Sequence, residues 1–533
     1  MIPASRVVML PLTTCLLAGT PALAGAIPPG DGVGAVLDRV RRAVGYERLR
    51  ALAHGVEIRG PASLLGAPAT HRQRFDATGR FHRRMDGLVT IESGFDGTTV
   101  WSRDLGGEIR TLALGERDQF MVGTMFQTHG WLSPAAPLAF RLLAGGAGGD
   151  ASASGVKLEF ELSDSPLSGV ITVDAESGRP TGVVFRWGAT EGTITMEGWA
   201  EHEGMWFPRH VSVVTARGAD ASYEMESLAV LSASEGEGGG VFAPPEPDAG
   251  AARFDPGAPA ALTIKRAPTG HMLVRARING GEEGWFIFDT GAGATVLATT
   301  TVERLKIATE GTLPALGVGG SVPTTLARPG SLTIGRLTME RPITIALDLA
   351  FLDAPMGEHI DGVIGFGVLH RSIARIDMAA PSVELHDPRT FDGAGLAWAR
   401  MELYNRVPTV EGAVEGHAGM FTLDTGAGGS SVAICEPAVR RLNLLEGRET
   451  TASTAGGVGG FIEARAGKIR SLNLAGAELG GMDVVFVTEA KGAFADPYTL
   501  GNVGGQVLRP FTMYTDYQRR RIALIPRDGS KNE

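Results

Sequence analysis

Short runs of alternating apolar and polar residues follow one another between residues 31 and 245. This period of two predicts half-exposed antiparallel strands. The runs are Gly55 to Gly60, His71 to Asp76, Gly79 to Arg84, Thr99 to Asp104, Lys157 to Ser163, Gly169 to Asp174, Pro180 to Trp187 and Thr193 to Trp199. Two stretches depart from the pattern. Val36, Leu37, Val40, Val44 and Leu49 recur at helical spacing, broken by Gly45, with Asp31 placed as an N-cap. The apolar stretch Met121 to Leu143 predicts one or two helices. Ser232 to Ala258 contains Glu-Gly-Glu-Gly-Gly-Gly and Pro-Pro-Glu-Pro, the composition of a linker that is partly flexible and partly extended.

From about residue 261 the chain repeats itself. The apolar run Trp285-Phe286-Ile287-Phe288 ends in Asp289-Thr290-Gly291-Ala292, and Met420-Phe421-Thr422-Leu423 ends in Asp424-Thr425-Gly426-Ala427. Each reads as a strand that delivers a carboxylate to a Gly-rich turn. The two aspartates are 135 residues apart. Further landmarks recur in the same order. Gly317-Val318-Gly319-Gly320 returns as Gly457-Val458-Gly459-Gly460 after 140 residues, and Val363-Ile364-Gly365 returns as Asn502-Val503-Gly504 after 139. Asp377 returns as Asp516, also after 139. A near-constant offset with small drift is what a duplicated lobe with short insertions produces. The resulting division is 1–26 export segment, 31–245 N-terminal β domain, 246–260 linker, 261–395 first lobe and 396–528 second lobe.

Composition narrows the function. With 533 residues, two or three domains are expected. The 75 glycines and 6% aromatic content favour many turns and short strands over long helices. The net charge of -10 argues against a nucleic-acid partner, which would need a basic patch. Arg6, the apolar stretch Val7 to Gly19 and the small-residue sites Ala22-Leu23-Ala24 or Ala24-Gly25-Ala26 predict a cleaved signal peptide, with a short N-terminal anchor as the alternative. A periplasmic or secreted location follows, with no membrane span after cleavage. Cys15 would leave with the signal, so Cys435 remains as a buried structural thiol. His359, His370, His386 and His417 lack metal-ligand spacing. No Gly-x-Ser-x-Gly elbow or phosphate-binding Gly-x-x-x-x-Gly-Lys-Ser/Thr loop is present. Arg519-Arg520-Arg521 reads as a solvated turn.

Residues 261 to 527 resemble an aspartic peptidase of the retropepsin-like or pepsin-like type, with two lobes in one chain. The resemblance implies a mainly β, bilobal double barrel with a pseudo-twofold axis. It also implies that Asp289 and Asp424 form a catalytic dyad supported by Thr290, Gly291, Thr425 and Gly426. The Thr hydroxyls would link the two loops. Val363-Ile364-Gly365 matches the family's supporting segment, whereas Asn502-Val503-Gly504 departs from it. Gly317, Val318, Gly319 and Gly320, with Gly457, Val458, Gly459 and Gly460, are either flaps over a substrate cleft or ordinary β-turns. Leu316, Val322, Phe461 and Ile462 would flank those flaps. Phe75-Asp76-x-x-Gly79-Arg80-Phe81, the Phe95-Asp96-Gly97-Thr98-x-x-Trp101 strand pair and Phe242-Ala243-Pro244-Pro245 resemble the outer-membrane lipoprotein-carrier-like fold. That fold is a curved antiparallel sheet over helices, with a concavity for a lipid or apolar ligand, or one filled by its own side chains.

The function expected is an exported, metal-independent aspartic endopeptidase that acts as a monomer on polypeptides without a cofactor. The alternative is an envelope carrier of lipid or peptide whose peptidase-like region is not catalytic.

Overall fold

The structure is a computed structural model and describes residues 31–143, 155–188, 190–215, 221–232, 240–246 and 252–527. The export segment and Cys15 lie outside the described residues. No helix of the described residues is long and apolar enough to cross a membrane.

The alternating runs become one antiparallel sheet of fourteen strands. Its first half comprises Val56–Leu64, Ala67–Phe75, Phe81–Asp86, Thr90–Phe95, Val100–Arg103 and Ile109–Thr111. The half that follows Thr128 includes Leu138–Leu142, Gly155–Leu162, Ser168–Asp174 and Pro180–Trp187. Phe75 and Phe81 from one half share a single core with Leu158, Phe160 and Phe185 from the other. The sheet therefore wraps so that its two halves meet on common ground. That ground is the helix Leu114–Thr128, whose Val122, Met125 and Phe126 join the same core with Trp131. Phe126 lies 4.8 Å from Phe160 and 5.3 Å from Trp131 between ring centroids. The inner face is filled by the domain's own side chains. The residues of the carrier-like pattern meet: Trp101 donates its indole N–H to Phe242 O at 2.8 Å, and Arg80 sits over the Phe242 ring.

The helix expected within Met121 to Leu143 is present but does not run the length of the stretch. The helix ends at Thr128, a short 3₁₀ turn spans Gly130–Leu132, and Leu138–Leu142 is a strand paired with Leu158 to Leu162. Its order Leu-Ala-Phe-Arg-Leu alternates, and here the period of two outweighs the sheer number of apolar residues. The linker is also shorter than expected. Ala252–Phe254 is a strand paired with Leu337–Glu340 at the edge of the first lobe.

The first lobe is built on an eleven-stranded sheet and the second on a ten-stranded one. Both run as open paths, not the closed barrels the resemblance implied. One end strand in each, Thr309–Gly317 or Thr451–Gly457, belongs to a projecting hairpin and is not free to return to the opposite edge. A third sheet joins the lobes. Ile373–Asp377 pairs antiparallel with Phe511–Asp516, and Arg375 faces Tyr514, its equivalent at the 139-residue offset. A twofold axis through an antiparallel pair requires such self-facing equivalents. One continuous apolar core then spans both lobes, from Met272 and Phe288 to Phe421 and Ile522.

The N-terminal domain is locked to the peptidase-like lobes by a buried ion cluster. Arg110 pairs with Asp104 at 2.7 Å and with Glu116 at 2.6 Å, and donates to Leu403 O at 2.9 Å. Asn405 N–H donates to Glu116 at 2.7 Å, and Arg406 reaches Asp104 at 3.3 Å. Beside them, Arg371 of the first lobe pairs with Glu108 and donates to Gly106 O at 2.8 Å. Removing one member of such a cluster leaves the others buried and uncompensated. Arg110→Ala is expected to cost about 3–5 kcal/mol. Urea unfolding followed by tryptophan fluorescence checks this, because five of the seven tryptophans lie in the N-terminal domain. A loss below about 1 kcal/mol, the scale of an exposed ion pair, would show that the cluster does not secure the interface.

Candidate active site

In each lobe the local sequence forces a carboxylate to the end of a buried strand. Glu283–Phe288 runs parallel to Ile360–Ile364, and Asp289 N–H donates to Ile364 O at 3.0 Å. His417–Asp424 runs parallel to Gly501–Gly504 in the same way. A third strand, Val296–Ala298 or Val432–Ile434, pairs antiparallel on the other side of that support. The chain must therefore turn back within a few residues of each Asp, and the Thr-Gly-Ala sequence makes that turn.

The two turns meet through their threonines. Thr290 N–H donates to Thr425 Oγ1 at 3.0 Å, and Thr425 N–H donates to Thr290 Oγ1 at 3.0 Å. Each hydroxyl in turn donates to a carbonyl across the axis, Thr290 to Leu423 O at 2.7 Å and Thr425 to Phe288 O at 2.9 Å. Both threonines are fully buried. Four bonds tie the loops together, and each would leave a buried polar group orphaned if broken.

This grip puts the carboxyls of Asp289 and Asp424 in contact. A Cβ on Gly291 would collide with the carboxyl of Asp424, and one on Gly426 would collide with that of Asp289. Only glycine leaves room for each carboxyl to lie over the opposite loop. Gly291 N–H also donates to Asp289 Oδ1 at 2.7 Å. Burial raises the Asp289 carboxyl well above the usual carboxylate range, and the neighbouring Asp424 raises it further; the Gly291 and Gly426 amides pull the other way. Asp424 Oδ1 is buried without a hydrogen-bond partner. Two acceptors facing each other need a proton between them or a water above them.

Several neighbours of the pair lie outside the Asp-Thr-Gly signatures. Asn502 donates its amide Nδ2–H to Asp424 Oδ2 at 2.8 Å. The sequence marked Asn502 only as a departure from the supporting pattern. His271 bonds Thr269 through Nδ1 at 2.7 Å and lies against Gly428. Burial holds its imidazole below the usual value, against the opposing pull of the Gly426 backbone and the Asp424 carboxylate. Tyr517 is buried next to the landmark Asp516, and its hydroxyl is pushed well up by burial and then by both aspartates. A lone His ahead of a strand gives no signal in sequence, whereas Tyr517 adjoins a repeated Asp. The turns ahead of each lobe cross-brace the pair. Gly270 packs on Gly429 of the second loop, and Asn405 O packs on Gly293 of the first.

The Gly-Val-Gly-Gly segments are the tips of two hairpins, Thr309–Gly317 with Gly320–Ala327 and Thr451–Gly457 with Gly460–Ile469. The tips touch each other: Gly319 N–H donates to Val458 O at 3.1 Å, and Val318 lies against Gly457. Of the flanking residues, Leu316 is partly exposed and Phe461 is 74% exposed, while Ile462 is buried in the core and turned away from solvent.

The remaining residues singled out in sequence lie elsewhere. His359 bonds Asp353 and His386 bonds Glu384, while His370 is buried against Phe366. Among the described residues no group of His, Cys, Asp and Glu is gathered for a metal. Cys435 is buried, with Sγ 3.6 Å from the Thr499 hydroxyl. The Arg519-Arg520-Arg521 turn is ion-paired to Asp516 and Glu402.

Comparison with known proteins finds no match among curated proteins. Against family models, residues 274–368 and 410–503 match that of the aspartyl proteases. The two matched segments fall on the two lobes, and each contains one Asp-Thr-Gly turn and its supporting strand. The C-terminal region of the chain is therefore aspartyl-protease-like, carrying the family's pattern twice.

Proposed function

We propose that this chain is an exported aspartic endopeptidase that hydrolyses peptide bonds with a water activated between Asp289 and Asp424. The observation that carries the reading is the buried contact of the two carboxyls across the threonine grip, with one oxygen of Asp424 left without a protein donor. Like charges at that distance do not both ionise, so the pair holds one proton over a broad pH range. Its ionised member takes a proton from the water as that water attacks the amide carbon. Its protonated member gives a proton to the carbonyl oxygen. The titration belongs to the pair as a whole. The touching hairpin tips would cover an extended polypeptide and exclude bulk water. Leu316 and Phe461 offer apolar contacts to its side chains.

Three outcomes test this reading. Asp289→Asn and Asp424→Asn should each lower cleavage of a peptide library by roughly 10³-fold or more, with circular dichroism unchanged. Near wild-type cleavage by both variants would end the proposal. Asp289→Asn should also change how stability depends on pH. A carboxyl whose folded pKa is raised contributes stability that is full below its unfolded pKa and is lost as pH rises through the folded value. The variant should therefore be increasingly more stable than wild type as pH climbs from about 4 towards neutrality, as read from urea midpoints. Third, a methyl at Gly317 would meet Val458 O and separate the hairpin tips. Gly317→Ala should lower kcat/KM roughly ten- to a hundredfold, mainly through KM, without altering the unfolding midpoint. Unchanged kinetics would remove the hairpins from substrate binding.

A further inference from the structure

The two lobes are equivalent around the threonine grip but differ one layer below it. In the first lobe, Ile287 on the catalytic strand pairs with Val363 on the supporting strand, and both belong to an apolar cluster with Leu273 and Ile360. The equivalent pair in the second lobe is Thr422 and Asn502. Asp289 therefore has hydrocarbon beneath it where Asp424 has an amide.

The polar pair is oriented. Thr422 Oγ1 donates to Asn502 Oδ1 at 2.5 Å, which turns Asn502 Nδ2 towards Asp424 Oδ2 at 2.8 Å. The reverse orientation would set an amide oxygen against a carboxylate oxygen, two acceptors in contact. A fixed N–H donor favours the ionised form of the carboxyl it touches. In the first lobe the backbone N–H groups of Gly291 and Gly426 also favour the ionised form of Asp289, but burial and the neighbouring Asp424 outweigh them and raise that carboxyl overall. Tyr517 faces both aspartates. His271 lies near enough to Asp424 to feel its charge, and burial holds the imidazole towards its neutral form.

We propose that Asn502 is a positioning residue that breaks the twofold symmetry of the carboxyl pair, keeping the ionised group on Asp424 and leaving the shared proton with Asp289. The attacking water then loses its proton to Asp424, and Asp289 protonates the carbonyl oxygen. The proposal deepens the peptidase reading, and its kinetic test rests on that reading.

The signature is one-sided. Asn502 stabilises the singly ionised pair relative to the fully protonated pair. It stabilises the singly and doubly ionised pairs almost equally, because Asp424 is ionised in both. Asn502→Val, which installs the residue type of Val363, should therefore raise the acid limb of the kcat/KM profile by about one pH unit and leave the alkaline limb in place. A residue that merely fills space would lower activity across the whole profile without moving the acid limb, and that result would overturn the proposal.

A second measurement does not need activity. In an Asp289→Asn background Asp424 titrates alone, and infrared difference spectra of its carboxyl stretch give its midpoint directly. Adding Asn502→Val should raise that midpoint by about one pH unit. An unmoved midpoint refutes the role of Asn502 whether or not the protein cleaves peptides. A moved midpoint, together with a wild-type protein that cleaves no peptide, would refute the peptidase reading alone.

Discussion

Everything in the C-terminal region depends on the reciprocal bonding of Thr290 and Thr425. Two carboxyls do not stay together in a buried place unless something else holds them there, since each disfavours ionisation of the other. The threonines do this by exchanging N–H and hydroxyl bonds across the axis, at 3.0 Å in both directions. Each hydroxyl also satisfies a carbonyl of the opposite strand. The grip is polar and fully buried, so separating the loops would orphan several groups at once, which is far costlier than the small net gain of any one bond. The shared apolar core and the joint five-stranded sheet bring the lobes close enough for the grip to close.

The grip is then braced from outside. Asn405 and Arg406 lie in the turn that packs on Gly293 beside the first Asp loop. The same turn is tied to Glu116 and Asp104 of the N-terminal domain, and Leu403 is tied to Arg110. The N-terminal domain thus supports the first Asp-Thr-Gly loop through one intervening turn. It also reaches the first hairpin: Leu64, Leu65, Met85 and Val89 pack on Leu326, and Arg328 bonds Leu88 O. The domain is a structural part of the peptidase-like unit, and its interior is occupied by its own helix and tryptophans.

The parts of this architecture that were legible in sequence obey a local rule. The strands of the N-terminal domain announce themselves by alternation, and the two lobes by four landmarks in fixed order. Element bounds were hardest to read where two rules competed. Leu138 to Leu142 is apolar enough for a buried helix, but it alternates and pairs as a strand. Ala252–Phe254 follows linker-like residues but finds an open sheet edge. What could not be read was contact between distant segments. The side chains of Asp104, Arg110 and Glu116 look like ordinary surface charges until the second lobe covers them. His271 acquires its setting only from Gly428, far along the chain.

Asn502 shows how a departure from a repeat should be weighed. In a duplicated scaffold the default is that equivalent positions carry equivalent residues, because they occupy equivalent surroundings. Ile287 and Val363 obey this with an apolar layer under the first loop. Placing a polar residue at such a position costs free energy unless it is fully bonded. Asn502 is bonded at both ends of its amide, to Thr422 and to Asp424. Thr422 and Asn502, bonded to each other, stand where the first lobe has Ile287 and Val363. Symmetry is kept in the threonine bonds where the loops meet and lost in the layer beneath the two carboxyls. A symmetric pair has no preferred direction for the proton, whereas peptide hydrolysis needs one carboxyl to take a proton as the other gives one. On the proposed peptidase reading, the asymmetry beneath the loops gives the pair that direction before any substrate arrives.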